Sequence, residues 1–156
     1  TVAKKVTPVA REVELRSIKY NALTEVIGSQ RGKVIVVDIW ASYCRPCMEE
    51  FPHLVQLHQK YAGDGLLCIS ISVDEPAAHP TALKFLKKVG ATFLNYLLDE
   101  DPSLWQEKWL LKGIPAVFVF DRQGRRAAKF TNDDPDDQFT YGEQVEPLVR
   151  KLLSAK

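Results

Sequence analysis

Two cysteines separated by two residues, Cys44-Arg45-Pro46-Cys47, carry the chemistry that this sequence offers most directly. Disulfide exchange needs a thiolate that attacks and a second thiol that displaces the product from the mixed disulfide. The spacing suits both roles, because residues three apart come within disulfide reach once a first helical turn forms. Cys44 is expected at a helix N-terminus, where unsatisfied N–H groups and the positive end of the dipole favour thiolate over thiol. Arg45 adds a positive charge beside it, and Pro46 stiffens a turn where its missing N–H costs nothing. The resolving thiol, Cys47, has to lose a proton, and two carboxylates are candidates to take it. Asp38 lies in an apolar run, where desolvation raises a carboxyl toward the range of a usable base. Glu50 is three residues beyond Cys47, so the two side chains share one helix face.

Blander readings of the same residues stand beside these. Two cysteines at this spacing are half of a zinc site, but zinc takes about four ligands, and His53, His58 and His79 have no paired ligand spacing. No metal is therefore expected. A purely structural bridge is also conceivable, although closing so short a loop removes little chain entropy. Asp38 could be a hydrogen-bonded structural acid, and Glu50 a solvated helix residue. Cys68 reads as a small buried hydrophobe in a strand. Trp105 and Trp109 read as packing residues, and the acidic stretch Asp133–Asp137 as solvated surface.

The elements that must hold the cysteine pair follow from periodicity. Val34–Val37 is a continuous β-branched run, the mark of a strand buried on both faces, and it ends just before the pair. A helix follows from about Cys44, with Phe51, Leu54, Val55 and His58 at i, i+3, i+4 and i+7. Upstream, Glu12–Ile18 alternates like a strand, and Asn21 is a plausible N-cap for a short helix using Leu23, Val26 and Ile27. Downstream come a strand over Leu66–Val73, a helix over Thr81–Val89 closed by Gly90, and a strand over Phe93–Leu98. Asp101-Pro102 starts a further helix. Ala116–Phe120 turns through Asp121–Gly124 into a strand around Arg126–Phe130. Thr140 and Glu143 have capping-box spacing for a last helix, although Pro147 also allows a start at Glu146. Strands alternating with helices demand a largely parallel sheet with helices on both faces, an α/β fold in one domain over residues 1–156. Residues 1–11 are expected to be a flexible N-terminal segment.

Composition narrows the function classes. The chain has 156 residues, enough for a core of its own, and its 21 Lys+Arg against 20 Asp+Glu give a net charge of +1. That balance argues against binding nucleic acid by phosphate neutralisation. A hydrophobic content of 46% excludes a disordered chain, and no apolar run is long enough to span a bilayer. Three cysteines are too few for a disulfide scaffold and leave at least one thiol unpaired in a monomer. The chain opens on Thr1 rather than Met, which is compatible with a signal or membrane tether upstream.

From Val37-Asp38-Ile39-Trp40-Ala41 through Cys44-x-Pro46-Cys47 to Pro52, the sequence resembles the thioredoxin superfamily. Gly113-Ile114-Pro115 before an apolar strand is similar to that family's cis-proline loop. Glu50-Phe51-Pro52 and the long Val73–Gly113 segment look closer to the TlpA-like and ResA-like reductases. The resemblance implies a thioredoxin-like fold: a central mixed sheet with helices on both faces, an N-terminal βα addition and a central αβ insertion. It also implies a thiol–disulfide oxidoreductase acting on protein disulfides, with Cys44 as nucleophile, Cys47 as resolving thiol, and Asp38 and Glu50 as proton-transfer partners. Trp40, Tyr43, Arg45, Pro46, Ile114 and Pro115 are then the expected docking surface, with the Ile114–Pro115 backbone taking an extended substrate segment by strand addition. Asp38 is the thioredoxin choice, where some TlpA-like reductases carry an uncharged residue, and Tyr43 stands where Trp is usual. Arg45-Pro46 matches neither the Gly-Pro of thioredoxin nor the Pro-His of strong oxidants. The implied partners are a disulfide-containing protein and an upstream thiol donor, with no nucleic acid. No cofactor, a monomer, and a location outside the cytoplasm complete the expectation. A copper- or client-binding module and a disulfide-donating oxidase are the alternatives.

Overall fold

The computed structural model describes residues 12–155 of the chain. The expected flexible segment, residues 1–11, lies outside the described residues. The elements run β1 (Arg16–Ile18), α1 (Tyr20–Gly28), β2 (Val34–Trp40), α2 (Arg45–Tyr61), β3 (Leu66–Ser72), α3 (His79–Val89), β4 (Leu94–Leu98), α4 (Pro102–Lys108), β5 (Ala116–Phe120), β6 (Arg126–Thr131) and α5 (Glu146–Ser154). A π-turn, Tyr141–Val145, leads into α5.

Six strands form one sheet in the order β1-β4-β3-β2-β5-β6. The first four are parallel, and β5 and β6 pair antiparallel, so the sheet is mixed as expected. The central insertion, α3 and β4, places its strand between β1 and β3 and widens the sheet by one position. Every residue of β2 is buried, as its β-branched run demands. Helices cover both faces. Trp40 packs on Phe51 of α2 and Phe85 of α3, whereas Phe118 on the opposite face meets Trp109 beyond α4.

Several boundaries differ from the sequence expectation, each for a tertiary reason. The strand expected from Glu12 pairs with β4 only from Arg16, and the Leu15 carbonyl is taken by the His79 ring at 2.6 Å. α1 starts after Lys19 rather than Asn21 and has no side-chain cap of its own; the Tyr20 N–H donates to Glu100 Oε2 at 3.0 Å, eighty residues away. β2 continues through Asp38 to Trp40, with one oxygen of the buried acid taking a hydrogen bond from a distant side chain. At the last helix both readings hold in part. Thr140 Oγ1 accepts from Glu143 N at 3.1 Å, and the regular α-helix begins at Glu146 with Pro147 in its first turn. Gly90 closes α3 in the left-handed conformation at φ 73°, and Asp101 caps α4 by accepting from Ser103 N at 2.9 Å.

Candidate functional site

The register of the sheet brings the site together at one end. β2 ends at Trp40 opposite Ser72 of β3, and Ile39 faces Ala116 at the start of β5. The loop after β2, the residue after β3 and the Ile114-Pro115 step before β5 therefore all emerge at the C-terminal edge of the parallel strands, where open α/β sheets place ligands. The Ile114-Pro115 peptide bond is cis.

Cys44 is the N-cap of α2, and its Sγ accepts from Cys47 N at 3.3 Å. The two cysteines form a disulfide with Cα atoms 5.3 Å apart. Both cysteines are buried, Cys44 at 8% exposure and Cys47 at 1%, so Cys44 is the less enclosed of the two. The arrangement can exchange this bond with an external thiol or disulfide at Cys44 while keeping Cys47 out of contact. Arg45 stands beside Cys44, but its Nε pairs with Glu49 Oε1 at 3.1 Å on an exposed helix face. Among the described residues, the hydrogen bond to Cys44 Sγ comes from the Cys47 N–H at the helix N-terminus. Pro46 is exposed in the same turn.

Two residues before the end of β2, a buried carboxyl, Asp38, shares its surroundings with half-buried Glu50 of α2. Asp38 is 2% exposed, and its Oδ2 accepts from the Tyr141 hydroxyl. Its Oδ1 has no hydrogen-bond partner among the described residues. Desolvation raises the Asp38 carboxyl to about 7, with the Tyr141 hydrogen bond opposing and the Glu50 charge adding to the rise. Glu50 sits on α2, and its Oε2 accepts from Tyr141 N at 3.4 Å. Cys68, expected as packing, is a free buried thiol pushed up by desolvation and then by Asp38. Among the described residues no group of three or more His, Cys, Asp and Glu side chains is arranged to hold a metal ion.

This burial has a consequence for stability. The folded chain holds the Asp38 proton up to about pH 7, whereas the unfolded carboxyl releases it near its ordinary 3.8. Between those values the native state binds more protons than the unfolded state, so stability falls as pH rises across that window. Asp38→Asn should flatten the fall, and the measurement is the denaturant midpoint from pH 4 to pH 8. A fall as steep in the variant as in the parent would show that Asp38 does not cause it.

Of the residues expected to form a docking surface, the structure exposes some and withdraws others. Tyr43 is 70% exposed and Ile114 is partly buried. Trp40 is a correction: at 0% exposure, enclosed by Phe51 and Phe85, it is core and presents nothing to a partner. Pro115 is also buried, so at that loop the neighbouring Ile114 carries the side-chain surface. Two residues escaped the sequence reading. Tyr141 lies about a hundred positions from Asp38 and has no local signature. Asp74, buried just after β3, accepts from Ser42 N at 2.9 Å, Ser42 Oγ at 2.7 Å and Ser72 Oγ at 2.6 Å, tying the loop before Cys44 to the neighbouring strand. An acid directly after a buried apolar strand was the available signal for it.

A thioredoxin-like family profile matches residues 32–126. Among curated proteins, the thiol:disulfide interchange protein DsbE of Pasteurella multocida is 31% identical over 127 residues, covering 81% of this chain and 65% of that one. The thiol-disulfide oxidoreductase ResA of Geobacillus thermodenitrificans is 27% identical over 95 residues, covering 61% and 52%. The chain thus spans between about half and two thirds of the length of these relatives. Among solved structures, a Chlorobium tepidum chain provisionally named thiol:disulfide interchange protein DsbE superposes with a TM-score of 0.67 at 29% identity, covering 82% of this chain and 85% of its own.

Proposed function

Because this chain belongs to the thioredoxin-like family, we propose that it is a thiol–disulfide oxidoreductase that reduces protein disulfides through Cys44 and Cys47. The observation that carries the reading is the disulfide itself, at a helix N-terminus, with Cys44 less enclosed than Cys47. In the reduced protein the Cys44 thiolate attacks a substrate sulfur, a bond from Cys44 to that sulfur forms, and the other substrate sulfur leaves with the electron pair and gains a proton. Cys47 then gives its proton to a carboxylate and attacks Cys44 Sγ. The Cys44–Cys47 bond forms, the bond to the substrate breaks, and the substrate has gained two electrons and two protons.

Asp38 is the proton acceptor for Cys47 in this reading, supported by its burial, its carboxyl near 7 and an oxygen without a partner. Glu50 adds negative charge to the same cluster. Tyr43, Pro46 and Ile114 are the candidates for the surface that meets the substrate. Arg45 belongs to its rim, and Pro115 fixes the loop from below. The substrate is a disulfide-containing protein and the electron donor a second thiol protein, as the names of the DsbE and ResA relatives suggest. The likeness to the TlpA-like group supports a redox domain working outside the cytoplasm. Among the described residues no helix is long and apolar enough to cross a membrane.

The test is reduction of insulin disulfides by the dithiol form with a chemical thiol as donor. Catalysed precipitation of the insulin B chain, with Asp38→Asn slowing the reaction at pH 8, is the expected result. Rates equal to the thiol alone would overturn the reading, and rates in Asp38→Asn that match the parent from pH 6 to 9 would remove Asp38 from it. The direction of net transfer follows from the measured reduction potential against that of the donor.

A further inference from the structure

The buried group nearest Asp38 in chemistry is a phenol from the far end of the chain. We propose that Tyr141 is the positioning residue of the proton-transfer cluster, holding Asp38 through its hydroxyl and Glu50 through its backbone N–H. In this way it sets the pH at which Cys47 can be deprotonated. The proposal rests on the disulfide-exchange reading above and names a regulator of that same site.

The geometry points to positioning rather than simple packing. Tyr141 is itself buried at 2% exposure, and its two polar groups divide between the two carboxylates. The backbone that presents it is pinned on both sides. Thr140 N donates to Gln144 Oε1 at 2.7 Å and Thr140 Oγ1 accepts from Glu143 N at 3.1 Å, while Phe139 packs at a tilt on Phe130 with centroids 5.8 Å apart. The segment is a π-turn, a conformation found disproportionately at functional sites.

The chemistry follows from which way the proton points. Burial first, and then the Asp38 charge, push the Tyr141 phenol well above its ordinary value, so across the working range it donates and does not ionise. With its proton directed at Asp38 Oδ2, the hydroxyl favours the ionised form of that carboxyl. Burial and the Glu50 charge favour the protonated form. The remaining titratable neighbour, Cys68 on β3, is pushed up by desolvation and stays neutral. Cys44 and Cys47 at the start of α2 are the thiols served. Asp38 is thus balanced between a donor on the π-turn and a charge on α2, and one oxygen remains without a hydrogen-bond partner among the described residues. In the resolving step the Cys47 proton moves to the Asp38 carboxylate, the Cys47 sulfur bonds to Cys44 Sγ, and the departing substrate thiolate takes up a proton.

The balance predicts opposite signs for two conservative variants. Tyr141→Phe removes only the hydroxyl, so the Asp38 midpoint should rise by about one pH unit. Glu50→Gln removes the neighbouring charge, so the midpoint should fall. The readout is the carboxyl carbon resonance of Asp38 in the reduced protein, titrated by NMR from pH 4 to 10. A second readout is the pH midpoint of product release from a mixed disulfide preformed on Cys44, which should move in the same directions. An Asp38 midpoint unmoved in Tyr141→Phe, or moved the same way in both variants, overturns the proposal. If Tyr141→Phe does not fold, the parent protein decides: the Tyr141 hydroxyl proton should be a slowly exchanging resonance whose shift follows the Asp38 titration, and a resonance indifferent to that titration overturns the link. A protein that shows both carboxyl shifts but reduces no disulfide keeps the Asp38–Tyr141 balance and overturns the exchange reading beneath it.

Discussion

Cys44→Ser is expected to reduce insulin no faster than the chemical thiol alone, while Cys47→Ser still attacks once and accumulates a covalent complex with its substrate. The asymmetry comes from position. Cys44 caps α2, receives the Cys47 N–H at 3.3 Å and is the less buried of the two residues. A serine hydroxyl there is a far weaker nucleophile and cannot form the mixed disulfide. Cys47 is 1% exposed, so it meets only a sulfur already attached to Cys44. Without it, the attached substrate waits for an external thiol to release it. Non-reducing electrophoresis and intact-protein mass should show the complex for Cys47→Ser and none for Cys44→Ser. Equal complex formation by both variants would remove the distinction between attacking and resolving thiols, and full insulin reduction by Cys44→Ser would remove Cys44 from the chemistry.

The second large effect is on stability. Phe51→Ala should cost about 3–5 kcal/mol, lowering the thermal midpoint by roughly 10 °C. Phe51 is fully buried on α2 four residues after Cys47, and its ring lies 5.2 Å from Trp40, 5.4 Å from Phe85 and 6.1 Å from Phe93. Those contacts join α2 to the end of β2, to α3 and to the entry of β4. Truncation leaves a cavity where four elements meet, and the surrounding rings, held on β2, on α3 and at the entry of β4, relax into it only in part. Because the same helix carries the disulfide, the loss should appear in both redox states. Denaturant unfolding of the oxidised and reduced proteins measures it, and a cost below about 1 kcal/mol in both would show that the cluster does not anchor α2.

Much of this molecule was legible along the chain, and the legible parts share a cause: they depend on neighbours in sequence. The β-branched run at Val34–Val37 declared a buried strand, the apolar spacing from Phe51 declared α2, and Asp101-Pro102 declared the start of α4. The cysteine pair was visible for the same reason, since a helix N-terminus and a three-residue separation are local properties. The parts that stayed hidden depend on distance in the fold. Nothing near Asn21 revealed that Glu100 would take the Tyr20 N–H and that α1 would start two residues earlier. Nothing in the motif separated Trp40, which the packing of α2 and α3 turns into core, from Tyr43, which it leaves in solvent.

The cluster of Asp38, Glu50 and Tyr141 marks the boundary most clearly. The sequence alone determined that Asp38 sits in an apolar strand and that Glu50 shares a helix face with Cys47, because strand hydropathy and helical periodicity are written in consecutive residues. What balances them depends on contacts made in the fold. The phenol of Tyr141 reaches Asp38 because the antiparallel return of β5 and β6 carries the C-terminal segment back over the end of β2, and no periodicity encodes a contact between residues so far apart.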